Sequence, residues 1–336
     1  GIEELIKHGK FKLYTVSLAI ALFSNYYIGW MLCIYCLIYF FLYYFAHAEE
    51  YRNNPLQEKL HFIRSLIRMA LYSLLAIGMA ALILLAAFYS LNFGKTTFSD
   101  PKWEVLVKFA LIEFLYKLLP GSYDTVRPEG LPFVYCGLLT VLLIPSYFLS
   151  KKYPLRQKIF SAALILILIA SFSINVVDLV WHGFQNPNWL NHRYSFMLSF
   201  YMCVLACRAF SDVENLSYKA TMATGGLLAL LCIYLQTYSD DKYVKPDDFA
   251  CIYFSLIAIF IYLVVFSVLR KAIDKATVSA VLVGVVFIEL FLNGLCKLHK
   301  LHHLHHRKYE AYRFRYNYRL QYRKKIRNNS CRFLHR

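Results

Sequence analysis

Long apolar runs recur along this 336-residue chain, and no other feature limits its fold as strongly. A helix that crosses a bilayer needs about 20 mostly apolar residues, because the hydrocarbon core is about 30 Å thick and each helical residue adds about 1.5 Å. Hydrophobic residues make up 59% of the chain, well above the share typical of a soluble domain. The pattern predicts an all-α, polytopic integral membrane protein.

The apolar runs predict eight or nine transmembrane helices within a membrane domain over residues 1–293. The first two runs are either one kinked helix or a tight pair, because the polar segment 24–27 interrupts them. A polar break at that depth is tolerated only where protein or water satisfies the backbone, so this break is a candidate cavity lining. The runs occupy residues 13–23, 26–47, 66–91, 133–149, 159–180, 194–210, 220–238, 249–269 and 278–293.

Short basic loops predict the orientation of the chain. Lys and Arg crowd residues 151–158 and 270–275, and such loops remain in the cytoplasm under the positive-inside rule. It follows that the loops 92–132 and 181–193 face outward. We therefore expect the chemistry of the protein at the outer face.

The net charge of +17 is concentrated in a tail over residues 294–336, which holds thirteen Lys and Arg and one acid. Because this tail has no apolar pattern that could bury a core, we interpret it as disordered or as the product of a shifted reading frame. The alternatives are a patch for anionic polymers or nucleic acid and a weakly supported metal site, whose histidine spacing fits no defined zinc pattern. We expect no nucleic-acid partner. The histidines of that metal site would be His299, His302, His303, His305 and His306.

The outward loop 92–132 ends in KLLPGSYDTVRPEGLP, in which Pro and Gly predict an ordered turn around Asp124. A carboxylate beside the membrane surface could act as a general base toward a sugar hydroxyl, so Asp124 is a candidate catalytic residue. The alternative is that Asp124 caps the turn or pairs with Arg127.

The segment Trp181 to Phe200 combines Trp, Asn and His with Arg193 at the start of an apolar run. A guanidinium at headgroup depth suits a lipid phosphate or pyrophosphate, although a snorkelling interface anchor explains it as well. Asp178, near the outer end of the preceding run, is a functional candidate because carboxylates inside a membrane are costly. Its simpler interpretation is a contact with His182 one turn later.

Four spaced runs of this chain resemble the bacterial YfhO membrane protein family, a member of the GT-C glycosyltransferase superfamily. The runs are NYYIGWMLCIYCLIYF, KLLPGSYDTVRPEGLPFVYCGLL, the loop with LRQK, and WHGF followed by NPNWLNHRYSFMLSFYMCVLACRAF. They lie in continuous order within residues 10–296. The resemblance implies a GT-C-like fold in a bacterial plasma membrane.

The implied activity is transfer of a sugar from a polyprenyl-phosphate carrier to a cell-envelope polymer such as teichoic acid at the outer face. Arg193 would bind the carrier phosphate, and His182 and Trp181 would bound the sugar site. A divalent cation is a cofactor that such a site could take. The other residues expected to contact the carrier or its sugar are Tyr194, Asn25, Tyr27, Tyr123 and Asp178.

In such enzymes the catalytic acid lies on the first outward loop, which would precede Gly1. The chain does not begin with Met, so we expect that its N-terminal part, and the catalytic acid with it, are missing here. A transporter or flippase of lipid-linked sugars would show the same spans and the same phosphate-facing Arg. A non-catalytic partner of an envelope synthase is a third possibility.

Overall fold

The fold is known from a computed structural model, and most of the residues it describes are helical. The chain divides into two units, Gly1–Leu282 and Val283–Arg336, and a helix over Ser279–Leu295 includes the boundary between them. The candidate site lies in the first unit. The described residues are 1–51, 55–94, 103–122, 130–185, 187, 191–211, 218–237, 249–269, 276–277, 279–295 and 298.

Twelve helices are described in the first unit, together with a 3-10 turn over Ala48–Tyr51. Each predicted apolar run is helical over most of the residues that the structure describes, which confirms the all-α class, although residues 133–137 precede α7 and are not helical. In chain order the helices are α1 Ile2–His8, α2 Lys12–Ser24, α3 Tyr26–Ala46, α4 Pro55–Met79, α5 Ala81–Gly94, α6 Leu111–Tyr116, α7 Leu138–Leu149, α8 Leu155–Ser173, α9 Asn175–Trp181, α10 Ser195–Phe210, α11 Tyr218–Thr237 and α12 Phe249–Leu269.

Four of the described helices are long and apolar enough to cross a bilayer. They contain 19 to 21 residues, which at about 1.5 Å per residue corresponds to the thickness of a hydrocarbon core. Six further apolar helices have only 10–17 described residues, which is too short to meet the same length criterion. By length alone, the described residues therefore contain four candidate spans, fewer than the predicted eight or nine. The four are Tyr26–Ala46, Lys59–Met79, Leu155–Ser173 and Tyr218–Thr237.

The faces of these apolar helices that point away from the protein core expose large apolar side chains. Leu82 is 77% exposed, Leu227 is 69% exposed and Leu166 is 64% exposed. Contiguous apolar surface of this kind mismatches water and matches lipid tails. The chain is therefore a multi-pass membrane protein.

Two of the predicted runs contain a break. Residues 66–91 divide between α4 and α5 at Ala80, but the Leu84 N–H still donates to the Ala80 carbonyl, so the hydrogen bonding continues through the junction. Residues 159–180 divide between α8 and α9 at Ile174, whose backbone is extended. Just before this break, the hydroxyls of Ser171 and Ser173 bond back to carbonyls four residues earlier, an arrangement that bends helices.

The first two apolar runs form a tight helical pair. Asn25 separates α2 from α3 with an extended backbone, and its side-chain oxygen accepts hydrogen bonds from the N–H groups of Tyr27 and Ile28. Gly29 permits the close approach of the two helices, because a Cβ at this position would lie 2.6 Å from Leu22 Cδ2. The polar break therefore acts as a helix cap.

Candidate functional site

The break at Ile174 is where a described part of the long loop between α5 and α6 contacts the helices. Val107 forms an antiparallel bridge with Ile174. The Lys108 N–H donates to the Ser173 carbonyl at 2.9 Å, and the Asn175 N–H donates to the Leu106 carbonyl at 3.0 Å. An uninterrupted helix would have no free backbone for this pairing. We call residues 103–110, which are held in this way, the outer strap.

The outer strap brings Lys108 to Asp178. The Lys108 ammonium donates to Oδ2 of Asp178, whose side chain is fully buried, whereas the Lys108 side chain is 27% exposed. A buried carboxylate is stable only when it is paired and hydrogen-bonded. This ion pair therefore explains why α9 can carry an acid into the protein interior.

Three further side chains surround the other oxygen of the Asp178 carboxylate. The Tyr194 hydroxyl donates to Oδ1 at 2.8 Å and also lies 2.8 Å from the Ser171 carbonyl. The Nδ1 atoms of His182 and His192 each lie 3.4 Å from the same oxygen. Asp178 is thus the centre of a buried cluster that joins the strap, α8, α9 and the turn before α10.

The ionisation of the cluster follows from burial and charge. Burial alone would raise the pKa of Asp178, but the two histidines beside it hold the pKa well below its usual range. Burial lowers the pKa of His192, and Asp178 opposes this shift only in part. Burial, together with the charge of Asp178, raises the pKa of Tyr194 well above 10.0, so its hydroxyl stays protonated and donates. The cluster combines a carboxylate, an ammonium and a neutral His192.

The tautomer of His182 is fixed by its own helix. Its Nδ1 lies 2.8 Å from the backbone carbonyl oxygen of Asp178, and a carbonyl can only accept a hydrogen bond. Nδ1 therefore carries the proton, and in the neutral ring Nε2 keeps its lone pair. Nε2 is buried and has no hydrogen-bond partner among the residues that the structure describes. It could accept a proton or a hydroxyl hydrogen bond.

A ladder of four aromatic rings extends from this cluster. Trp181 stacks on Tyr194 with centroids 4.5 Å apart and planes 8° apart. Tyr194 stacks on Phe172 at 4.9 Å, and Phe172 stacks on Phe114 at 6.2 Å. Trp181, Tyr194 and Phe172 are each at most 1% exposed, so the ladder is a rigid part of the core.

Arg193 lies at the edge of the cluster. Its guanidinium carbon is 4.9 Å from the centroid of the Tyr27 ring, and that ring is tilted against His182 with centroids 6.2 Å apart. Stacking uses the face of a guanidinium, whereas pairing with a phosphate uses its N–H edge. The helical pair α2–α3 therefore positions Arg193 through Tyr27.

The far end of the aromatic ladder borders an apolar groove. Phe114 is part of the lining of a cavity of about 590 Å³ between α6, α7, α8, α10 and α11. Most of the lining is Leu, Ile, Val and Met, with Thr224 as a polar exception. Such a groove within the membrane fits a hydrocarbon chain. A polar cluster and an apolar groove are thus joined by one stack of rings.

The structure brings together six of the eight predicted carrier-binding residues and leaves one of the eight, Tyr123, outside its description. Asp178, His182, Trp181, Tyr194, Arg193 and Tyr27 lie at or beside the cluster, and the expected contact of Asp178 with His182 is present. The side-chain oxygen of Asn25 is engaged in capping α3. Tyr123, the candidate base Asp124 and the five tail histidines lie outside the described residues.

Two members of the cluster were not among the predicted site residues. Lys108 is the lone cation of the apolar stretch 103–116, a sequence signal that could have identified it as a site residue. His192 has a positive φ of 56°, which is uncommon for histidine and is known only from the structure. Within the described residues, no group of three or more His, Cys, Asp and Glu side chains is arranged to hold a metal ion.

Comparison with known proteins gives one family. A family model described as Bacterial membrane protein YfhO matches residues 1–336. The matched range is wider than residues 10–296, which carry the resemblance in the sequence, and it includes the basic tail. No curated protein and no solved structure matches the chain.

Proposed function

The chain belongs to the YfhO family of bacterial membrane proteins, and from this membership we propose that it is a membrane glycosyltransferase of GT-C type. Its donor would be a sugar linked to a polyprenyl phosphate, and its acceptor a cell-envelope polymer such as teichoic acid. The reaction would take place at the outer face of the bacterial plasma membrane.

One observation carries this proposal, namely the aromatic ladder that joins a polar cluster to an apolar groove. A polyprenyl-phosphate sugar has an isoprenoid tail and a charged, hydroxylated head, so it needs both environments side by side. The groove beside Phe114 would take part of the tail. The head would lie near Arg193, His182 and Trp181.

The side chains at the polar end suit the chemistry of the transfer. The acceptor hydroxyl attacks the anomeric carbon while the bond to the carrier phosphate breaks, and negative charge grows on the departing phosphate. A guanidinium stabilises such charge through paired N–H donors, which is the role we assign to Arg193. Trp181 would offer an aromatic wall, and a base close to the acceptor would take the hydroxyl proton.

The direct test is turnover by the full-length protein in detergent. Purified protein would be given a polyprenyl-phosphate-linked radiolabelled sugar and teichoic acid, and radiolabel on the polymer is the expected result. A flippase would instead move the lipid-linked sugar across sealed vesicles without an acceptor and would label no polymer in detergent. That pair of results would show that the protein is a transporter and not a glycosyltransferase.

A further inference from the structure

The outer strap is tied to the protein through one charged side chain and exposes apolar ones. Lys108 is directed inward to Asp178. Val105 and Val107 are 76% and 73% exposed, and Leu106 between them is 50% exposed. The strap therefore presents apolar side chains away from the protein.

Two aromatic residues extend this apolar surface. Trp103 is 55% exposed, and its ring centroid lies 6.3 Å from that of Phe184. Phe184 is 49% exposed and has a positive φ of 63° directly after Gly183, where α9 has ended. The Phe184 N–H donates to the Leu179 carbonyl at 2.8 Å, so this turn ends α9 and leaves the phenylalanine ring exposed.

The depth of the strap follows from its bridge. Val107 pairs with Ile174, the residue directly after the 19-residue candidate span Leu155–Ser173. A helix of this length covers about 28 Å, close to the thickness of the hydrocarbon core. A strap bonded to the end of such a helix would lie near the boundary between hydrocarbon and headgroups, where exposed apolar side chains contact lipid.

We propose that Trp103, Val105, Val107 and Phe184 form a membrane-interface anchor that inserts into the leaflet on the side of the site. Tryptophan is enriched at this depth because its ring is amphipathic, and valine and phenylalanine there avoid water. The anchor holds the exposed side chains of the strap in lipid while Lys108 holds the strap to Asp178. This inference does not depend on whether the chain transfers a sugar.

Photo-crosslinking tests the occupant of this surface directly. The photoreactive residue p-benzoylphenylalanine would replace Val105 in the full-length protein, reconstituted in vesicles of phosphatidylethanolamine and phosphatidylglycerol. Illumination is expected to yield lipid adducts at this position. A matched variant with the same residue at Phe109, which is buried, should crosslink within the protein. An adduct at position 105 with a second copy of the chain, or no lipid adduct there, would overturn the proposal.

Tryptophan fluorescence gives a second test that needs only a conservative substitution. Trp103→Phe keeps an apolar ring, and the difference between the fluorescence of the two proteins is the emission of Trp103. In vesicles that contain lipids brominated near the top of the acyl chain, we expect most of that difference signal to be quenched. Quenching of the difference signal by aqueous iodide, but not by bromolipid, would show instead that the strap faces water.

Discussion

Lys108 and Asp178 form an ion pair across seventy positions of sequence. The contact requires the break at Ile174, because the strand-like pairing of the outer strap with that break directs Lys108 toward α9. The pair thereby links the loop that contains the outer strap to α9, the helix that ends next to His182.

The first prediction concerns the energy of this pair. Lys108→Met should lower the free energy of unfolding by about 3 kcal/mol, because it leaves a buried carboxylate without its cation. We choose the lower end of the range for buried pairs because the Lys108 side chain keeps some contact with solvent. The measurement is a denaturation titration in mixed micelles. In a double-mutant cycle with Asp178→Leu, the losses should be less than additive, and simple additivity would argue against coupling.

The second prediction concerns the Tyr194 hydroxyl. Tyr194→Phe keeps the stacked ring but removes the donor to Asp178, which should destabilise the protein by about 2 kcal/mol, as expected for a hydrogen bond to a charged group. Tyr201→Phe is a matched control, because its hydroxyl donates to the neutral Ser161 hydroxyl and should contribute only about 1 kcal/mol. Equal losses in the same denaturation assay would contradict an ionised Asp178.

The third prediction concerns pH. The pKa of His192 is lower in the folded protein than its ordinary value of 6.5, so the unfolded chain binds the proton more readily. The stability that neutral His192 contributes is therefore present above pH 6.5 and is lost as the pH falls below it. His192→Asn should flatten the dependence of Tm on pH between about 7 and about 5.

Asparagine is chosen because it tolerates the positive φ at this position, whereas alanine would add backbone strain. Part of the dependence should persist, because burial also lowers the pKa of His47. An unchanged pH profile in the Asn variant would show that His192 does not titrate differently on folding.

The fourth prediction concerns Arg193. In the full-length protein Arg193→Lys should lower kcat/KM for sugar transfer by about tenfold to a hundredfold, because an ammonium lacks the planar donor fork. Arg208→Lys is the control, since Arg208 pairs with Glu3 at the other end of α10 and lies outside the site. Near-normal transfer by the Arg193 variant would remove this residue from phosphate binding.

The fifth prediction concerns orientation. The basic loops predict residues 151–158 in the cytoplasm and 95–130 outside. In a background without reactive native cysteines, Thr125→Cys should react with an impermeant reagent on intact cells, and Leu155→Cys should react only after permeabilisation. The reverse pattern would place the candidate site on the cytoplasmic face.

Part of the site could be predicted from the sequence because its residues are close in the chain. Asp178 and His182 are one helical turn apart, and Trp181, Arg193 and Tyr194 belong to one segment of mixed aromatic and polar residues. Local spacing was therefore enough to single them out. Lys108 and Phe114 could not be connected with them, since the pairing of a loop with a helix break leaves no periodic pattern in either segment.

The sequence by itself determined the class of this protein, because the length and apolarity of its runs are set by the thickness of a bilayer and do not depend on which helices are neighbours. Only the tertiary structure decided that residues 159–180 break at Ile174, that Asn25 serves as a cap, and that one buried carboxylate joins Lys108, His182, His192 and Tyr194. These features depend on contacts between distant segments, whose energies come from packing and desolvation at particular positions. A hydropathy pattern averages over many residues, whereas each of these contacts depends on which residue stands at one particular position.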